Sequence, residues 1–303
     1  MLDLRRLRLL RELAHRGTLH AVATALNYSP STVSQQLAQL ETEVGVPLLE
    51  HVGRRVRLTP QAQILVGHTE HILERLEQAR ADVAASTEGV TGTVRVAAFP
   101  TAAYTLLPAA LTRLAGEHPR LRVHLTVAEP EQAVPALLAR DFDLVVAEEY
   151  PGRPRRYDAD VAELLSDPIR LALPAGSDPP PAGQAWVMEP AGTAARDWAV
   201  AECRAAGFEP DVRYESSDLL LHVRLVETGH AAAFLPDLVW GGRPPSVPVR
   251  PPSAERRIRT VVRRGQAGHP AIRALRQSLA VIPSRSGRSG SAPARSSASA
   301  TSS

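Results

Sequence analysis

Two residue types are scarce or missing in this chain of 303 residues. Lysine is absent, so all 35 basic residues are arginine, which fits GC-rich coding and has little functional weight. Cysteine occurs once, at Cys203, which excludes an intramolecular disulfide framework and fits a reducing cytoplasm. Because Cys203 lies on an amphipathic segment, we expect a core residue there rather than a redox sensor.

Long apolar runs are absent as well. No window of about 18 residues is uninterruptedly apolar, so we expect no transmembrane helix and no membrane partner. The first residues, MLDLRRLRLLRELAHRG, alternate Arg with Leu at helical spacing and lack the apolar core and cleavage site of a signal peptide. The sequence therefore predicts a cytoplasmic protein, and its length suggests about two domains.

The first 60 residues predict three helices followed by a hairpin. The first helix ends at Gly17, and Thr18 caps a short second helix. Ser29 is the expected N-cap of a third helix, which Gly45 ends. Two short strands then surround a glycine turn at residues 52–53 that is tipped with arginine. This order is typical of a winged helix-turn-helix.

The third helix has a polar face that contains no charged residue before Glu41. In NYSPSTVSQQLAQLE, residues 27–41, the apolar positions Val33, Leu37 and Leu40 form one helical stripe, and the polar positions before Glu41 are uncharged hydroxyls and amides. Such groups pair with base edges in the major groove, and Gln binds adenine with two hydrogen bonds. The predicted base-reading residues are Ser31, Thr32, Ser34, Gln35 and Gln36. Taken alone, this face equally fits a solvated surface helix, but the wing and the short turn favour DNA.

Arginines near this helix are expected to hold the DNA backbone. Residues 1–60 contain eight arginines against five acidic residues, and the arginines lie at the two ends of the unit. A recognition helix need not be basic, because neighbouring arginines supply the phosphate contacts. The predicted phosphate-binding residues are Arg5 (with Arg6 as the alternative on the first helix), Arg54, Arg55 and Arg57.

A long helix follows the hairpin. From Pro60 to about Ala85, apolar and small residues recur at steps of three and four, at Leu65, Thr69, Ile72, Leu76, Ala79 and Val83. This 3.5-residue spacing is typical of two paired helices. We predict a dimer seam through Leu65, Ile72 and Leu76, the alternative being an amphipathic helix that packs on its own domain.

After Gly92 the pattern changes to strands alternating with helices, which predicts a mostly parallel sheet in an α/β domain. Two similar βα series, joined by two passes of the chain, predict two hinged lobes. Ligands of such folds bind at the carboxyl ends of the strands. The predicted effector-binding residues at those ends are Thr101, Glu129, Glu148, Thr193 and Ser217. Each of them is alternatively an ordinary capping residue.

The N-terminal part resembles the DNA-binding half of the LysR-type transcriptional regulators. The residues that carry the resemblance are Leu4, Arg5, Leu7, Leu10, Gly17, Ala21, Val22, Ala23, Leu26, Ser29, Pro30, Ser34, Gln35, Leu40, Glu41, Gly45, Val46, Pro47, Leu48, Glu50, Gly53, Arg54, Leu58 and Thr59. Residues 92–282 resemble the family more weakly, through the βα order and GHAAAFLP at 229–236. His51 and Gln63 depart from the family pattern.

This resemblance implies a fold and a set of partners. The expected boundaries are a winged helix-turn-helix at 1–58, a dimerisation helix and hinge at 59–91, a bilobal, periplasmic-binding-protein-like effector domain at 92–282, and a disordered tail at 283–303. The implied partners are double-stranded DNA with an interrupted inverted repeat, a small-molecule effector held between the lobes, and further copies of the chain in a homodimer or tetramer. RNA polymerase is a further candidate partner.

Other function classes find less support. The sequence contains no phosphate-cradling glycine loop with lysine, no Gly-x-Ser-x-Gly elbow and no cysteine pair, so we expect no enzyme and no cofactor. His68 and His71 are spaced like metal ligands but lack a third ligand, so no metal is expected. A free-standing solute-binding protein would not explain residues 1–60. Two alternatives stay open: the lobes serve only oligomerisation, or the protein represses rather than activates.

Overall fold

The computed structural model describes residues 1–52, 55–175 and 183–281. The predicted disordered tail at 283–303 and the arginine-tipped turn at 53–54 lie outside these residues. Within them, no helix is both long and apolar enough to cross a membrane.

The N-terminal unit has the predicted three helices and hairpin. They are α1 (Leu4–Arg16), α2 (Leu19–Leu26), α3 (Pro30–Val44), β1 (Leu49–Val52) and the antiparallel β2 (Arg55–Leu58). The N-cap side chains of Thr18 and Ser29 accept backbone N–H groups, and Gly17 and Gly45 end α1 and α3 in the left-handed conformation. The helices enclose one apolar core, which includes Leu10, Val22, Val33, Leu37 and Leu40.

The long helix α4 (Pro60–Ala85) has two apolar faces. One is buried within the chain and includes Leu73 and Ala81. The second is exposed: the predicted seam residues Ile72 and Leu76 are 42% and 39% exposed. The periodic pattern needs correction at two positions. Thr69 is buried and donates to the carbonyl of Leu65, while Leu65 packs partly against the core of the N-terminal unit, because α4 begins by covering that unit.

The elements after α4 are, in chain order, β3 (Gly92–Ala98), α5 (Pro100–Thr105), α6 (Leu107–Glu117), β4 (Leu121–Val127), α7 (Pro130–Leu138), β5 (Leu144–Glu149), β6 (Asp160–Ala172), β7 (Ala185–Met188), α8 (Ala194–Ala205), β8 (Asp211–Glu215), α9 (Leu219–Glu227), β9 (Ala233–Pro236), a short 3₁₀ helix (Asp237–Trp240), β10 (Ala254–Val262) and α10 (Pro270–Ala280). The predicted alternation of strands with helices after Gly92 is present through most of this region.

The strands form two lobes. A six-stranded sheet has the order β4-β3-β5-β10-β6-β9, and a second sheet contains the parallel pair β7-β8. Lobe one centres on β4, β3 and β5, which are parallel, and lobe two on β7, β8 and β9. The expectation of a mostly parallel large sheet is wrong. The strands β6 and β10 run antiparallel to each other because one leaves lobe one and the other returns to it.

Candidate DNA-binding surface and effector cleft

The recognition helix α3 presents the predicted uncharged face to solvent. Ser31, Ser34 and Gln35 are exposed, whereas Thr32 and Gln36 are half-buried. Thr32 Oγ1 shares a hydrogen bond with Ser29 Oγ at 2.8 Å, and Gln36 Oε1 accepts from Arg6 Nε at 3.1 Å. These contacts hold both side chains within the N-terminal unit. The structure therefore leaves Ser31, Ser34 and Gln35 as the accessible side chains of the predicted base-reading set.

Beside α3 lies a groove of about 730 Å³ between α1, α2 and α3. Its lining includes the predicted phosphate contact Arg5, together with Arg8 and Tyr28. Sequence reasoning missed Arg8, although its spacing of three from Arg5 places both on one helical face. The alternative Arg6 is not available for DNA, because its guanidinium bonds Gln36 and forms an ion pair with Glu43.

Of the three wing arginines predicted to bind phosphate, only Arg57 has a side chain that the structure describes. Arg54 lies outside the described residues, and nothing is described of the Arg55 side chain. Arg57 Nη2 pairs across the hairpin with Glu50 Oε2 at 2.8 Å, although its side chain is 74% exposed. This exposed pair is worth at most about 1 kcal/mol, so Arg57 remains able to exchange Glu50 for a DNA phosphate.

A cavity of about 440 Å³ lies between the lobes, at the predicted carboxyl ends of strands. Three of the five predicted effector residues line it: Glu129, Thr193 and Ser217. They come from the start of α7, the start of α8 and the loop before α9, so the topology brings together positions far apart in the chain. The volume is within the range of small-molecule sites.

The other two predicted effector residues need correction. Thr101 is only 6% exposed and does not line the cavity; its neighbour Pro100 does. The helix α5 has six residues, so the expected dipole at Thr101 is weak. Glu148 is 7% exposed and is bound by Arg256, which also bonds Asp167 Oδ2 through Nε at 2.9 Å. Glu148 therefore compensates a buried cation rather than offering its carboxylate to a ligand.

Thr193 serves its own helix. Its hydroxyl accepts the backbone N–H of Arg196 at 3.2 Å and donates to the carbonyl of Pro190 at 2.9 Å. Beside it, Glu131 accepts the backbone N–H of Ala194 at 3.1 Å and thereby links α7 of lobe one to α8 of lobe two. Glu131 also pairs with Arg155.

Carboxylates dominate the electrostatics of the cleft. Burial, together with the charges of Glu148 and Glu131, raises the pKa of Glu129 to about 7. On the lobe-two side, burial and the charge of Glu148 raise the pKa of Glu189 to about 8. Neither carboxylate has a cationic side chain within 4 Å among the described residues. Sequence reasoning missed Glu189, which no local pattern connects to the other carboxylates.

Comparison with known proteins follows the same division of the chain. Residues 4–63 match the bacterial regulatory helix-turn-helix protein, lysR family, and residues 87–281 match the LysR substrate binding domain. The chain belongs to the LysR family of transcriptional regulators. As a member of that family it binds DNA through its helix-turn-helix and a small-molecule effector through its C-terminal domain.

Individual relatives of this LysR-family protein are distant. It is 27% identical over 273 residues to the transcriptional dual regulator GltC of Bacillus subtilis (strain 168), covering 85% of this chain and 89% of GltC. It is 34% identical over 175 residues to a probable hydrogen peroxide-inducible genes activator of Mycobacterium xenopi, and the match covers 56% of this chain and 88% of that protein. A full-length OxyR variant from Pseudomonas aeruginosa has a similar fold, with a TM-score of 0.66 at 22% identity over 93% and 95% of the two chains.

Proposed function

We propose that residues 1–58 of this regulator read an operator, residues 59–91 pair two copies, and residues 92–282 sense a small molecule in the cytoplasm, without enzymatic activity. The observation that carries the proposal is the face of α3 on which Ser31, Ser34 and Gln35 are exposed beside a groove lined by Arg5 and Arg8. In protein–DNA complexes, arginines commonly bind the phosphates and position the protein, whereas hydroxyl and amide side chains hydrogen-bond to base edges and give sequence specificity.

Gln35→Ala tests this assignment. Loss of a two-bond contact to a base should weaken binding to the preferred operator by about 1–3 kcal/mol and reduce its preference over random DNA. The measurement is a binding titration on an operator selected from a random duplex pool with the full-length protein. Gln277→Ala is the matched control, because Gln277 is an exposed glutamine on α10 of lobe one. Unchanged discrimination in Gln35→Ala would show that another face of α3 reads the bases.

We further infer that the effector bears a positively charged group, such as an amine. Glu129 lines the cavity without a cationic partner among the described residues, and the like charges of Glu148 and Glu131 lie near it. An ammonium group relieves this repulsion, whereas a carboxylate ligand adds to it. Since such a ligand contacts both lobes, it favours the closed form by its difference in affinity for the two forms.

A thermal-shift panel of small amines and matched carboxylates tests this inference. Amines should raise the melting temperature of the wild type, and Glu129→Gln should remove the effect by eliminating the charge while keeping the shape. Glu209→Gln is the control, because Glu209 is an exposed carboxylate of lobe two that pairs with Arg204. Stabilisation by carboxylates alone would contradict a cationic effector.

One relative is named as a probable hydrogen peroxide-inducible genes activator, but the one cysteine of this chain is not suited to sensing peroxide. Cys203 is 1% exposed within the core of lobe two, and burial raises the pKa of its thiol to about 12. A reactive cysteine needs access and a thiolate, and Cys203 has neither. It is a packing residue of α8.

A further inference from the structure

A second cavity lies where α1, α4 and lobe one meet, and it shares no lining residue with the effector cleft. We call it the junction cavity; its volume is about 370 Å³. Six arginines from the three modules line it: Arg5 and Arg8 of α1, Arg80 of α4, and Arg95, Arg140 and Arg263 of lobe one. Its lining contains two acidic residues, Glu77 and Asp143, which leaves a formal charge of +4.

The ion pairs at the junction cavity do not neutralise it. Asp143 is shared: Arg95 Nη2 contacts its Oδ1 at 3.0 Å, and Arg263 Nη2 contacts the same oxygen at 3.2 Å. Glu77 pairs with Arg140. The guanidinium groups of the three remaining arginines, Arg5, Arg8 and Arg80, have no carboxylate oxygen within 4 Å among the described residues, so the positive charge on their side of the cavity is uncompensated.

Two buried N–H donors of arginines that line the junction cavity have no hydrogen-bond acceptor among the described residues. Arg263 is 7% exposed, and its Nε has no hydrogen-bond partner among the described residues. The Nε of Arg140 is likewise buried and unpartnered. Buried N–H groups are nearly always hydrogen-bonded, so each orphan requires an explanation. Burial and the charges of Arg263, Arg11 and Arg8 lower the pKa of Arg140 to about 10, which is the sign of cations crowded together without enough anions.

The backbone at Arg140 also indicates a position selected for its side chain. Arg140 follows α7 in the left-handed conformation, with φ of 69°, where glycine is the usual residue. An arginine is strained in this conformation, whereas a glycine is not. Unlike glycine, Arg140 places a guanidinium group in the wall of the cavity.

We propose that the junction cavity binds a small, multiply charged oxyanion of the diphosphate or phosphate-ester class. Guanidinium groups bind such oxygens through paired, charge-assisted hydrogen bonds. An anion here neutralises α1, α4 and lobe one together, and so strengthens the contact between the DNA-binding unit and the effector domain. The site is separate from the effector cleft and does not depend on the identity of the effector.

Isothermal titration of the full-length wild type with pyrophosphate, at constant ionic strength, tests the proposal. We expect saturable binding of one pyrophosphate per chain and slower amide exchange in residues 4–16 and 139–143. Absence of saturable binding would overturn the site. Inorganic phosphate in the same titration should bind more weakly, because it spans fewer of the arginines; equal affinities would overturn the assignment to a multiply charged ligand that bridges the modules.

Two variants separate the cavity from general charge. Arg80→Ala should weaken pyrophosphate binding at least ten-fold, whereas Arg75→Ala, an exposed arginine on the same helix outside the cavity, should change it less than two-fold. Arg140→Gly should weaken binding similarly, but because it also leaves the buried Glu77 without its arginine it should lower the melting temperature, which Arg80→Ala should not. If Arg80→Ala and Arg75→Ala weakened binding equally, pyrophosphate would be attracted only by the general positive charge of the protein, and the proposal would be overturned.

A competition experiment distinguishes a small anion from a DNA phosphate, since Arg5 and Arg8 also line the groove beside α3. With random-sequence duplex added, pyrophosphate should still bind the wild type with an affinity reduced less than three-fold, and Arg80→Ala should bind duplex normally. Displacement of pyrophosphate by duplex, with Arg80→Ala losing duplex affinity in parallel, would make the cavity an extension of the DNA surface instead.

Discussion

Arg11 is one of two charged residues, with Glu12, that α1 buries among its leucines. It is 1% exposed, and its Nη1 and Nε bond Glu12 and Glu70, each at 2.8 Å. Burial acts to raise the pKa of Glu70, but the hydrogen bonds from His15 and Arg11 outweigh it and hold that pKa at about 2. Glu12 is fully buried as well and accepts a second bond from Arg16. Ion pairs therefore hold α1 against α4 at a buried position where apolar side chains would usually pack.

Removal of the Arg11 guanidinium should therefore be strongly destabilising. Arg11→Ala leaves Glu12 buried with only Arg16 as partner, and the expected loss is about 3–5 kcal/mol in the free energy of unfolding. Urea denaturation followed by circular dichroism measures it. The matched control is Arg57→Ala, which breaks an exposed arginine–glutamate pair of the same domain and should lose less than about 1 kcal/mol. Similar losses in both variants would mean that the buried network contributes no more than a surface pair.

At the scale of single elements, local signals decided what was predictable. In the DNA-binding unit Thr18 and Ser29 cap the starts of α2 and α3, and glycines end α1 and α3; these caps act within a few residues of sequence. The first nine residues of β6 show no clear strand pattern in the sequence, because Pro168 and scattered acids interrupt it, and the partner strand β10 is some 90 residues away in the chain. In the same way, no spacing rule connects Glu189 with Glu129.

The helix α4 shows how one element serves two contacts. Its buried stripe holds Leu73 and Ala81 within the chain, whereas Ile72, Leu76 and Val83 remain exposed beside that stripe. Exposed apolar side chains at helical spacing are typical of a surface that a partner covers. In an oligomeric regulator the second copy of α4 is the partner that we propose for it.

Ile72→Arg should weaken this pairing, because two copies of the arginine would meet across a two-fold axis. We expect a smaller assembly by gel filtration with light scattering and a parallel loss of operator affinity. His71→Arg is the control: it introduces the same side chain one residue away, where His71 is 75% exposed on a different side of α4. An unchanged assembly in Ile72→Arg would place the interface elsewhere on the molecule.

At the scale of the whole molecule, one short helix connects the effector cleft with the DNA-binding unit. The helix α7 begins at Glu129 in the cleft and ends where the carbonyls of Leu138 and Ala139 accept from Arg11 and Arg16 of α1. Arg16 Nη2 also pairs with Asp141 at 2.8 Å. Gly265 brings α4 close on the same side of lobe one, where a Cβ would overlap the carbonyl oxygen of Glu74. The two functional regions thus share a continuous packed contact.

The stability of the whole molecule should depend on pH through two carboxylates, Glu129 at the start of α7 and Glu189 directly after β7. The pKa values of Glu129 and Glu189 are about 7 and about 8, above the value of an unfolded carboxyl, so the native state binds more protons than the unfolded state. Their stabilising contribution is complete below the unfolded pKa and is lost as pH rises through the native values. Burial lowers the pKa of His222 to about 4, so this histidine opposes the trend only below about pH 6.5.

Between about pH 6.5 and 8 the free energy of unfolding should therefore fall, by at most about 1.4 kcal/mol per pH unit for each carboxyl. Thermal unfolding at half-unit steps across this window measures the slope. Glu129→Gln should reduce the slope up to about pH 7 and Glu189→Gln should reduce it up to about pH 8, because a neutral amide has no proton to lose. Glu209→Gln should leave the slope unchanged, since Arg204 lowers the pKa of Glu209 and that exposed carboxylate is already ionised throughout the window. If the slope of the wild type survived both cleft substitutions, the protons would have to leave another group, and the crowding of carboxylates between the lobes would not govern the pH response.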